Sequence, residues 1–225
     1  MRHLLYLAKR WKKFFGENPV SESGLLKVNN LQERILSPEE ENRLIMNSSP
    51  HLVPILITAL NTGMRKGEII SLRWEDIDFE NNLITVRQEV SKSKKLRRIP
   101  INSTLRKVLL EQKLKTGWND YVFLNPEGSP YQRSDSLKRC FEGACRRANI
   151  KGFRFHDLRH TFATRLIKAG VSIVVVSKIL GHADLKTTMR YVHPEDSLKD
   201  AVEKLTKMGI SNSLTDKFTD TGESQ

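Results

Sequence analysis

The sequence predicts a mainly α-helical protein with one small three-stranded antiparallel β-sheet, an α+β fold. Apolar residues recur at helical spacing through most of the chain, and glycine or proline closes many of these segments. Between residues 76 and 101 the apolar pattern changes to a period of two, with β-branched residues at its centre. We therefore expect helices on both sides of a single β-meander.

Composition limits the class of protein and its partners. A chain of 225 residues with 38% hydrophobic residues can bury one substantial core. Its net charge of +12 favours a polyanionic partner, with nucleic acid first and an acidic membrane surface as the alternative. The sequence has no transmembrane-length apolar run and no signal-peptide pattern, which predicts a cytoplasmic protein. Cys140 and Cys145 lack the CxxC spacing, so we expect two buried thiols and no disulfide scaffold.

The first third of the chain predicts four helices. The clearest start is Ser37, a predicted N-cap followed by Pro38 and three glutamates in the first turn. Gly63 closes an apolar helix that we expect to be buried. The segments are a basic amphipathic helix over 4–15, a polar linker over 21–30, the helix that follows Ser37, the apolar helix over 51–62 and a short helix over 66–72.

The predicted strands cover 76–79, 83–87 and 97–101. The turn before the third strand is basic throughout and contains Lys92, Lys94 and Lys95. A solvated loop is the simplest interpretation of such a turn, and contact with DNA phosphates is the functional one. Arg97 and Arg98 follow in the third strand, and we include them in the same basic surface.

The second half of the chain returns to helical spacing. Arg139, Arg146 and Arg147 lie on or near one side of a predicted helix, a pattern typical of a solvated face that also suits a DNA groove. The segments are a helix over 104–114, a short buried segment over 121–124, the basic helix over 135–148, an amphipathic helix over 196–208 and a polar tail over 210–225 that we expect to be disordered.

Residues 156–193 predict three consecutive short helices. His156 and Arg159 are three residues apart, so on a helix both side chains project from the same face. The second helix begins at Ser172 and ends at Gly181.

The third of these helices is predicted over 185–192, with Asp184 as its cap. His182 lies just before it, and Tyr191 lies near its end. The three segments thus place His156, Arg159, His182 and Tyr191 within a single short stretch.

These motifs resemble those of one known family. HDLRH, then LGH, then a tyrosine nine residues after His182 resemble the C-terminal signature of the tyrosine recombinase (phage integrase) family. TGMRKGEI at 62–69 resembles the arginine motif of that family, and Lys92 lies eight residues before Pro100, as the family's lysine does. Because five separate motifs match in the same order, the resemblance is specific.

The resemblance covers 31–208 and implies the tyrosine recombinase catalytic-domain fold over 31–209. Residues 1–30 then resemble the end of an N-terminal core-binding domain and its linker. We expect a fragment rather than a naturally short relative, and we expect it to bind DNA weakly and cleave it poorly on its own.

The resemblance implies a site-specific recombinase or integrase that cleaves and rejoins double-stranded DNA through a 3′-phosphotyrosyl intermediate, without metal, cofactor or ATP. Tyr191 is the implied nucleophile, and Arg65 and Arg159 hold the non-bridging phosphate oxygens. The implied catalytic residues are Arg65, Lys92, His156, Arg159, His182 and Tyr191.

Lys92 is the implied general acid for the leaving 5′ oxygen, with Lys94 in the same turn as an alternative. His156 is the implied base for the hydroxyl of Tyr191, and His182 is a hydrogen-bond donor to the phosphate.

Two acidic residues are expected to support this set. Glu68 orients neighbouring groups, and Asp157 fixes the start of its helix. The predicted DNA contacts are Lys94, Lys95, Arg97, Arg98, Arg139, Arg146 and Arg147. The resemblance further implies a tetramer on paired DNA sites, associated through helix 196–208.

Three alternatives remain. The first is a non-catalytic, sequence-specific DNA-binding module of the same fold, which the presence of all six catalytic residue types disfavours. A type IB topoisomerase shares the chemistry, but LGH and the short chain are more similar to recombinases. The third is a zinc enzyme, because His156 and His160 resemble an HExxH pair; Arg159 on the same face would repel a metal, so we predict no metal site and a structural role for His160.

Overall fold

A computed structural model describes residues 2–18, 34–89, 96–131 and 134–192. The chain divides into two compact units, Met1–Gln32 and Glu33–Gln225. In the first unit, α1 (Arg2–Arg10) ends before the predicted 4–15 helix does, because Lys12 adopts a left-handed φ of 57°. The predicted linker, the helix over 196–208 and the tail over 210–225 lie outside the described residues.

The second unit combines helices with one small sheet, which confirms the predicted class. Its helices are α2 (Pro38–Met46), α3 (Val53–Thr62), α4 (Lys66–Ile70), α5 (Ser103–Thr116), α6 (Ser134–Arg147), α7 (Asp157–Lys168), α8 (Ile173–Leu180) and α9 (Lys186–Met189). Its strands are β1 (Ile77–Asp78), β2 (Leu83–Val86) and β3 (Arg97–Pro100), preceded by a 3₁₀ turn over Trp74–Asp76. No described helix is long and apolar enough to span a membrane.

The sheet is the predicted antiparallel meander in the order β1-β2-β3. Ile84 in the central strand lies opposite Ile77 on one side and Ile99 on the other. All three isoleucines are buried, so one face of the sheet packs on the core. Because side chains alternate along a strand, Arg97 points to the same face as Ile99.

Local chemistry sets the helix starts. The hydroxyl of Ser37 accepts a hydrogen bond from the Glu40 amide at 3.2 Å, and the Glu40 carboxylate accepts one from the Ser37 amide at 3.3 Å. This reciprocal capping box, with Pro38 in the first turn, begins α2 as the sequence predicts.

The apolar helix α3 is central to the core. Most of its residues are buried, and it packs against α5 and α7. A second, smaller apolar cluster forms where α7 meets α8, and its buried members are Phe162, Ala163, Val176, Leu180 and Tyr191. This smaller cluster fixes the position of the predicted nucleophile.

Two local predictions need correction. The helix predicted over 185–192 is limited to α9, because Tyr191 and Val192 hydrogen-bond to carbonyls three residues back, as in a tight 3₁₀ turn. The N-cap of α9 is Leu185 and not the predicted Asp184, whose carboxylate accepts a hydrogen bond from the Lys186 amide at 2.9 Å. Cys145 is buried, and burial raises the pKa of its thiol to about 11, whereas Cys140 is only half-buried.

Candidate active site

Residues from four separated segments meet at the predicted site. Arg65 follows α3, His156 and Arg159 lie at the start of α7, His182 follows α8, and Tyr191 lies in the turn after α9. Both arginines act electrostatically on both of these histidines. The structure therefore brings five of the predicted catalytic residues together, while Lys92 lies outside the described residues.

Arg159 is fixed in the interior, with 2% of its surface exposed. Its Nη1 donates to the carbonyl of Gly63 and its Nη2 to the carbonyl of Leu180, both at 2.7 Å. Desolvation, and then the charge of Arg65, lowers the pKa of Arg159 to about 10, so the guanidinium is still protonated at pH 7. A planar cation held in this way suits two-point contact with a phosphate.

Arg65 caps α4 together with Glu68. The Arg65 amide donates to Glu68 Oε2 at 2.8 Å, and its Nη1 donates to Oε1 at 3.0 Å. Glu68 is 2% exposed, whereas the Arg65 side chain remains partly accessible. The buried carboxylate thus orients an arginine that a ligand can reach.

Arg97 does not occupy the phosphate-contacting position predicted for it. The side chain is buried, because it forms a bidentate ion pair with Glu68 and donates from Nε to the carbonyl of Ile179 at 2.9 Å. A guanidinium with these partners inside the protein does not reach a DNA backbone outside it. We therefore remove Arg97 from the predicted DNA contacts.

His156 lies immediately before α7, and its ring meets that of His160 edge-on with centroids 5.1 Å apart. Desolvation first, and then the neighbouring His160 and Arg159, lowers the pKa of His156 to about 4. The side chain nevertheless remains accessible to solvent. At pH 7 it is neutral, and a neutral imidazole can accept a proton.

Asp157 is fully buried and fixes the start of α7. It accepts hydrogen bonds from the Arg154 amide at 2.7 Å and from Arg154 Nη2 at 3.0 Å. His160, one turn later, lies 5.3 Å from the ring of Tyr191, and its buried Nδ1 has no hydrogen-bond partner within the described ranges. The sequence predicted a structural role for His160 and did not predict its contact with Tyr191.

The His182 ring forms a hydrogen bond with α9, the helix that precedes Tyr191. Its Nδ1 lies 2.7 Å from the hydroxyl of Thr188, a buried residue of α9. The rings of His182 and Tyr191 stack with centroids 6.2 Å apart. Desolvation, followed by the charges of Arg159 and Arg65, lowers the pKa of His182 to about 4.

Two glycines allow the close approaches within this site. Gly63 has a φ of +62°, and a Cβ there would lie 2.4 Å from Phe162 and 2.7 Å from Leu180. Gly181 has a φ of +67°, and a Cβ there would lie 2.8 Å from Cδ of Arg97. Larger residues would collide at both points, which explains the glycines of the TGMR and LGH motifs.

The remaining predicted basic residues occupy several environments. Arg98, Arg139 and Arg146 are exposed and accessible to a large ligand. Arg147 is also exposed, but its Nη2 donates to the carbonyl of Asn47 at 2.7 Å. Lys94 and Lys95 fall, with Lys92, outside the described residues.

Thr188 and the buried role of Arg97 were not predicted from the sequence. The period-two alternation with Ile99 would have indicated that Arg97 faces the core. Nothing in the local sequence distinguishes Thr188 from Thr187 as the partner of His182. Within the described segments, no group of three or more His, Cys, Asp or Glu side chains is placed to hold a metal ion.

Comparison with known proteins identifies the family. Residues 34–197 match the model described as the phage integrase family, and the chain belongs to this family. It is 32% identical over 203 residues to the integrase of Salmonella phage P22, covering 86% of this chain and 51% of that protein. It is 34% identical over 188 residues to the tyrosine recombinase XerD of Listeria monocytogenes serovar 1/2a, covering 79% of this chain and 61% of that protein. The chain therefore spans between half and two thirds of the length of these relatives.

Solved structures agree with this assignment. The crystal structure of XerA recombinase superposes with a TM-score of 0.63 at 29% identity, covering 79% of this chain and 65% of that chain. A lambda integrase dimer bound to a COC′ core site gives a TM-score of 0.68 at 21% identity, covering 84% of this chain and 56% of that chain. The latter similarity shows that the fold is shared.

Proposed function

We propose that this chain is the catalytic part of a site-specific tyrosine recombinase or integrase that cleaves and rejoins double-stranded DNA. The observation that best supports this is the convergence of Tyr191 with His182, Arg159 and Arg65 from separate segments. These groups supply a nucleophile, hydrogen-bond donors and positive charge, which phosphoryl transfer requires.

In the proposed reaction, the hydroxyl oxygen of Tyr191 attacks the scissile phosphorus. The bond from phosphorus to the 5′ oxygen breaks, leaving a 3′-phosphotyrosyl link and a 5′-hydroxyl end. Rejoining reverses these steps, and one phosphodiester bond replaces another, so no ATP is consumed. Arg65 and Arg159 stabilise the charge on the non-bridging oxygens, and removing such a donor costs about 3–4 kcal/mol of transition-state stabilisation.

The histidines suit proton transfer and hydrogen bonding. His156 has a lowered pKa and is neutral at pH 7, so it can accept the proton of Tyr191. When the Thr188 hydroxyl donates to Nδ1 of His182, the ring proton lies on Nε2, which can then donate to the phosphate. We propose Lys92, with Lys94 as the alternative, as the acid that protonates the leaving 5′ oxygen; a Lys92→Ala variant that cleaves as fast as wild type would exclude Lys92.

Double-stranded DNA is the proposed substrate, and the cytoplasm is the proposed place of action. The net charge of +12 and the exposed Arg98, Arg139 and Arg146 favour a polyanion. Structures of the same fold include a Tn1549 transposon integrase in complex with transposon right end DNA, with a TM-score of 0.70 at 21% identity over 91% of this chain and 76% of that chain.

We also propose that the chain assembles on paired DNA sites through its segment 196–208. The helices α8 and α9 contact each other and have exposed apolar side chains at Val174, Val175 and Met189, and Leu185, just before α9, is also exposed. An amphipathic helix from a second copy would cover this surface. Sedimentation of protein–DNA complexes should show smaller assemblies for a chain ending at 195, and unchanged assemblies would exclude this contact.

Covalent trapping tests the proposed chemistry. A pool of nicked duplexes with randomised sequence around the nick is incubated with the chain in EDTA. The nick lets the short fragment with the 5′-hydroxyl diffuse away after cleavage, so the covalent adduct accumulates. We expect a denaturation-resistant protein–DNA adduct, whose DNA can be sequenced to obtain an enriched duplex.

The Tyr191→Phe variant is the matched control, because it keeps the ring and removes only the nucleophilic oxygen. We expect it to bind the enriched duplex and to form no adduct. Equal adduct from both proteins would exclude Tyr191 as the nucleophile. DNA binding without any adduct from wild type would favour the non-catalytic DNA-binding module.

A further inference from the structure

Arg97 contacts two elements that lie next to predicted catalytic residues, α4 and α8. On one side, its Nη1 and Nη2 donate to the two carboxylate oxygens of Glu68, at 3.1 and 2.6 Å. On the other side, its Nε donates to the carbonyl of Ile179 at 2.9 Å. Arg97 therefore connects α4, which begins beside Arg65, with the end of α8, which precedes His182.

Glu68 transmits the position of Arg97 to Arg65. The same two carboxylate oxygens accept the Arg65 amide at 2.8 Å and Arg65 Nη1 at 3.0 Å. Burial alone raises the pKa of Glu68, but the hydrogen bonds and charge of Arg97, followed by those of Arg65, outweigh burial, and the pKa is lowered. The carboxylate thus stays ionised between two guanidinium groups, and displacing one of them displaces the other.

The second contact fixes the backbone before His182. A Cβ at Gly181 would lie 2.8 Å from Cδ of Arg97 and 3.2 Å from its Nε. Arg97 therefore packs directly against the main chain of this loop. Because the contact is to backbone atoms, it restricts the path of the chain from Leu180 to His182.

Stability alone is a weak reason for such an arrangement. The side chains of Arg97 and Glu68 are almost fully buried. Desolvation offsets most of the attraction in a buried ion pair, and apolar replacements of similar volume are often neutral or stabilising. The ion pair also fixes the local geometry. Arg97 donates three hydrogen bonds and Arg65 donates two to Glu68, each in a defined direction.

We propose that Arg97 is a positioning residue for the recombination site: acting through Glu68 and the Gly181 loop, it sets Arg65 and His182 at the separation that receives the scissile phosphate. This inference rests on the proposed function. It gives Arg97 no contact with DNA, in contrast to its exposed neighbour Arg98.

The test compares Arg97→Lys with wild type on the enriched nicked duplex, at saturating DNA. Lysine keeps the positive charge but cannot form the bidentate pair together with the Ile179 contact. We expect the cleavage rate constant of the folded protein to fall by roughly 10- to 100-fold, since small displacements of catalytic groups have effects of this size. The dissociation constant for DNA should change by less than about threefold, because no phosphate contact is lost.

Arg87→Lys is the matched control. Arg87 pairs with Asp76 at 3.1 Å and donates to the carbonyl of Ser71 at 3.1 Å, so it resembles Arg97 but contacts none of the five predicted catalytic residues that the structure describes. Both variants should lose stability in urea, while Arg87→Lys cleaves at the wild-type rate. If Arg97→Lys also cleaves at the wild-type rate, Arg97 is purely structural and the proposal is wrong.

A methylphosphonate at the scissile position distinguishes a displaced Arg65 from a general loss of cleavage activity. It replaces one non-bridging oxygen by a neutral methyl group, so the arginine that contacts that oxygen matters less. We expect Arg97→Lys to lose less activity on the diastereomer that lacks the oxygen bound by Arg65. Equal losses on phosphate and on both diastereomers would contradict an effect through Arg65.

If Arg97→Lys does not fold, a double variant provides the test. Arg97→Met with Glu68→Gln removes both buried charges, so folding should be retained. Slow cleavage by this folded protein supports the positioning role of the pair, and wild-type cleavage overturns it. Absence of a tyrosine-dependent adduct from wild type would instead overturn the proposed function, and the inference with it.

Discussion

At the scale of single residues, Arg159 shows how a buried charge is prepared for a ligand. Two backbone carbonyls at 2.7 Å replace part of the water that the guanidinium loses on burial. Its pKa is lowered to about 10 by desolvation and by Arg65, yet it stays cationic at pH 7. A phosphate bound here would meet a cation that needs little reorganisation, which is the condition for strong electrostatic stabilisation.

The lowered pKa values of His156 and His182, both about 4, predict a pH dependence of stability. In the unfolded chain these groups titrate near ~6.5. Between these values the unfolded state binds protons that the folded state does not, so the free energy of unfolding falls as pH decreases from 6.5 to 4. The contribution is complete above pH 6.5.

Urea unfolding of wild type, His156→Gln and His182→Gln between pH 4.5 and 7.5 measures this effect. Each variant should show a smaller decrease in its urea midpoint between pH 6.5 and 4.5 than wild type does. An equal pH dependence in all three proteins would contradict the assignment of neutral histidines in the folded state.

The sequence is most informative about single residues where a motif is local. The spacing of His156 and Arg159 places them on one helix face, whereas the resemblance to the family brought His182 and Tyr191 into consideration. Arg97 was misassigned because its partners, Glu68 and Ile179, are distant in the sequence. Whether an arginine faces solvent or a buried carboxylate is decided by tertiary packing.

At the scale of secondary-structure elements, the junction between α3 and α4 depends on Gly63. Gly63→Ala should destabilise the protein, because a left-handed backbone costs a residue with a Cβ roughly 1–2 kcal/mol and overpacking against Phe162 and Leu180 costs about 1–3 kcal/mol. The free energy of unfolding in urea measures the sum.

Gly67→Ala is the matched control within the same motif. Gly67 lies in α4, and a Cβ there meets nothing within 4 Å. Alanine should stabilise this helix by about 0.5–1 kcal/mol relative to glycine. A Gly63→Ala protein as stable as Gly67→Ala would contradict the packing at this junction.

Element types were easier to predict than element ends. The capping box of Ser37 and Glu40 is encoded within four residues, so the start of α2 followed from the sequence. The end of α9 did not, because Tyr191 closes a 3₁₀ turn while its ring packs into the apolar cluster of α7 and α8. The helix is therefore shorter than the sequence predicts, since Pro194 alone would allow it to extend to 192.

At the scale of the whole molecule, the positive charge predicts salt-sensitive binding to DNA. Each phosphate contact contributes about −0.9 to the slope of log K against log salt. Arg98→Gln should therefore reduce the magnitude of this slope by about 0.9, since Arg98 is exposed on β3. Titration of the enriched duplex at several salt concentrations measures the slope.

Arg106→Gln serves as the control for this titration. Arg106 is partly buried, lies over the ring of Phe79 and donates to the Phe79 carbonyl at 3.4 Å, so we expect the wild-type slope. A wild-type slope for Arg98→Gln would show that the exposed face of β3 does not contact DNA.

The hydrogen bond between His182 and Thr188 links two of the predicted catalytic residues through one short segment. Thr188 belongs to α9, and Tyr191 lies two residues after that helix, so one short segment holds both the predicted attacking hydroxyl and the partner of the histidine ring. A shift of α9 that withdraws the tyrosine also releases His182 from its anchor. The predicted nucleophile and the predicted phosphate donor would then be lost together, because the same segment positions both of them.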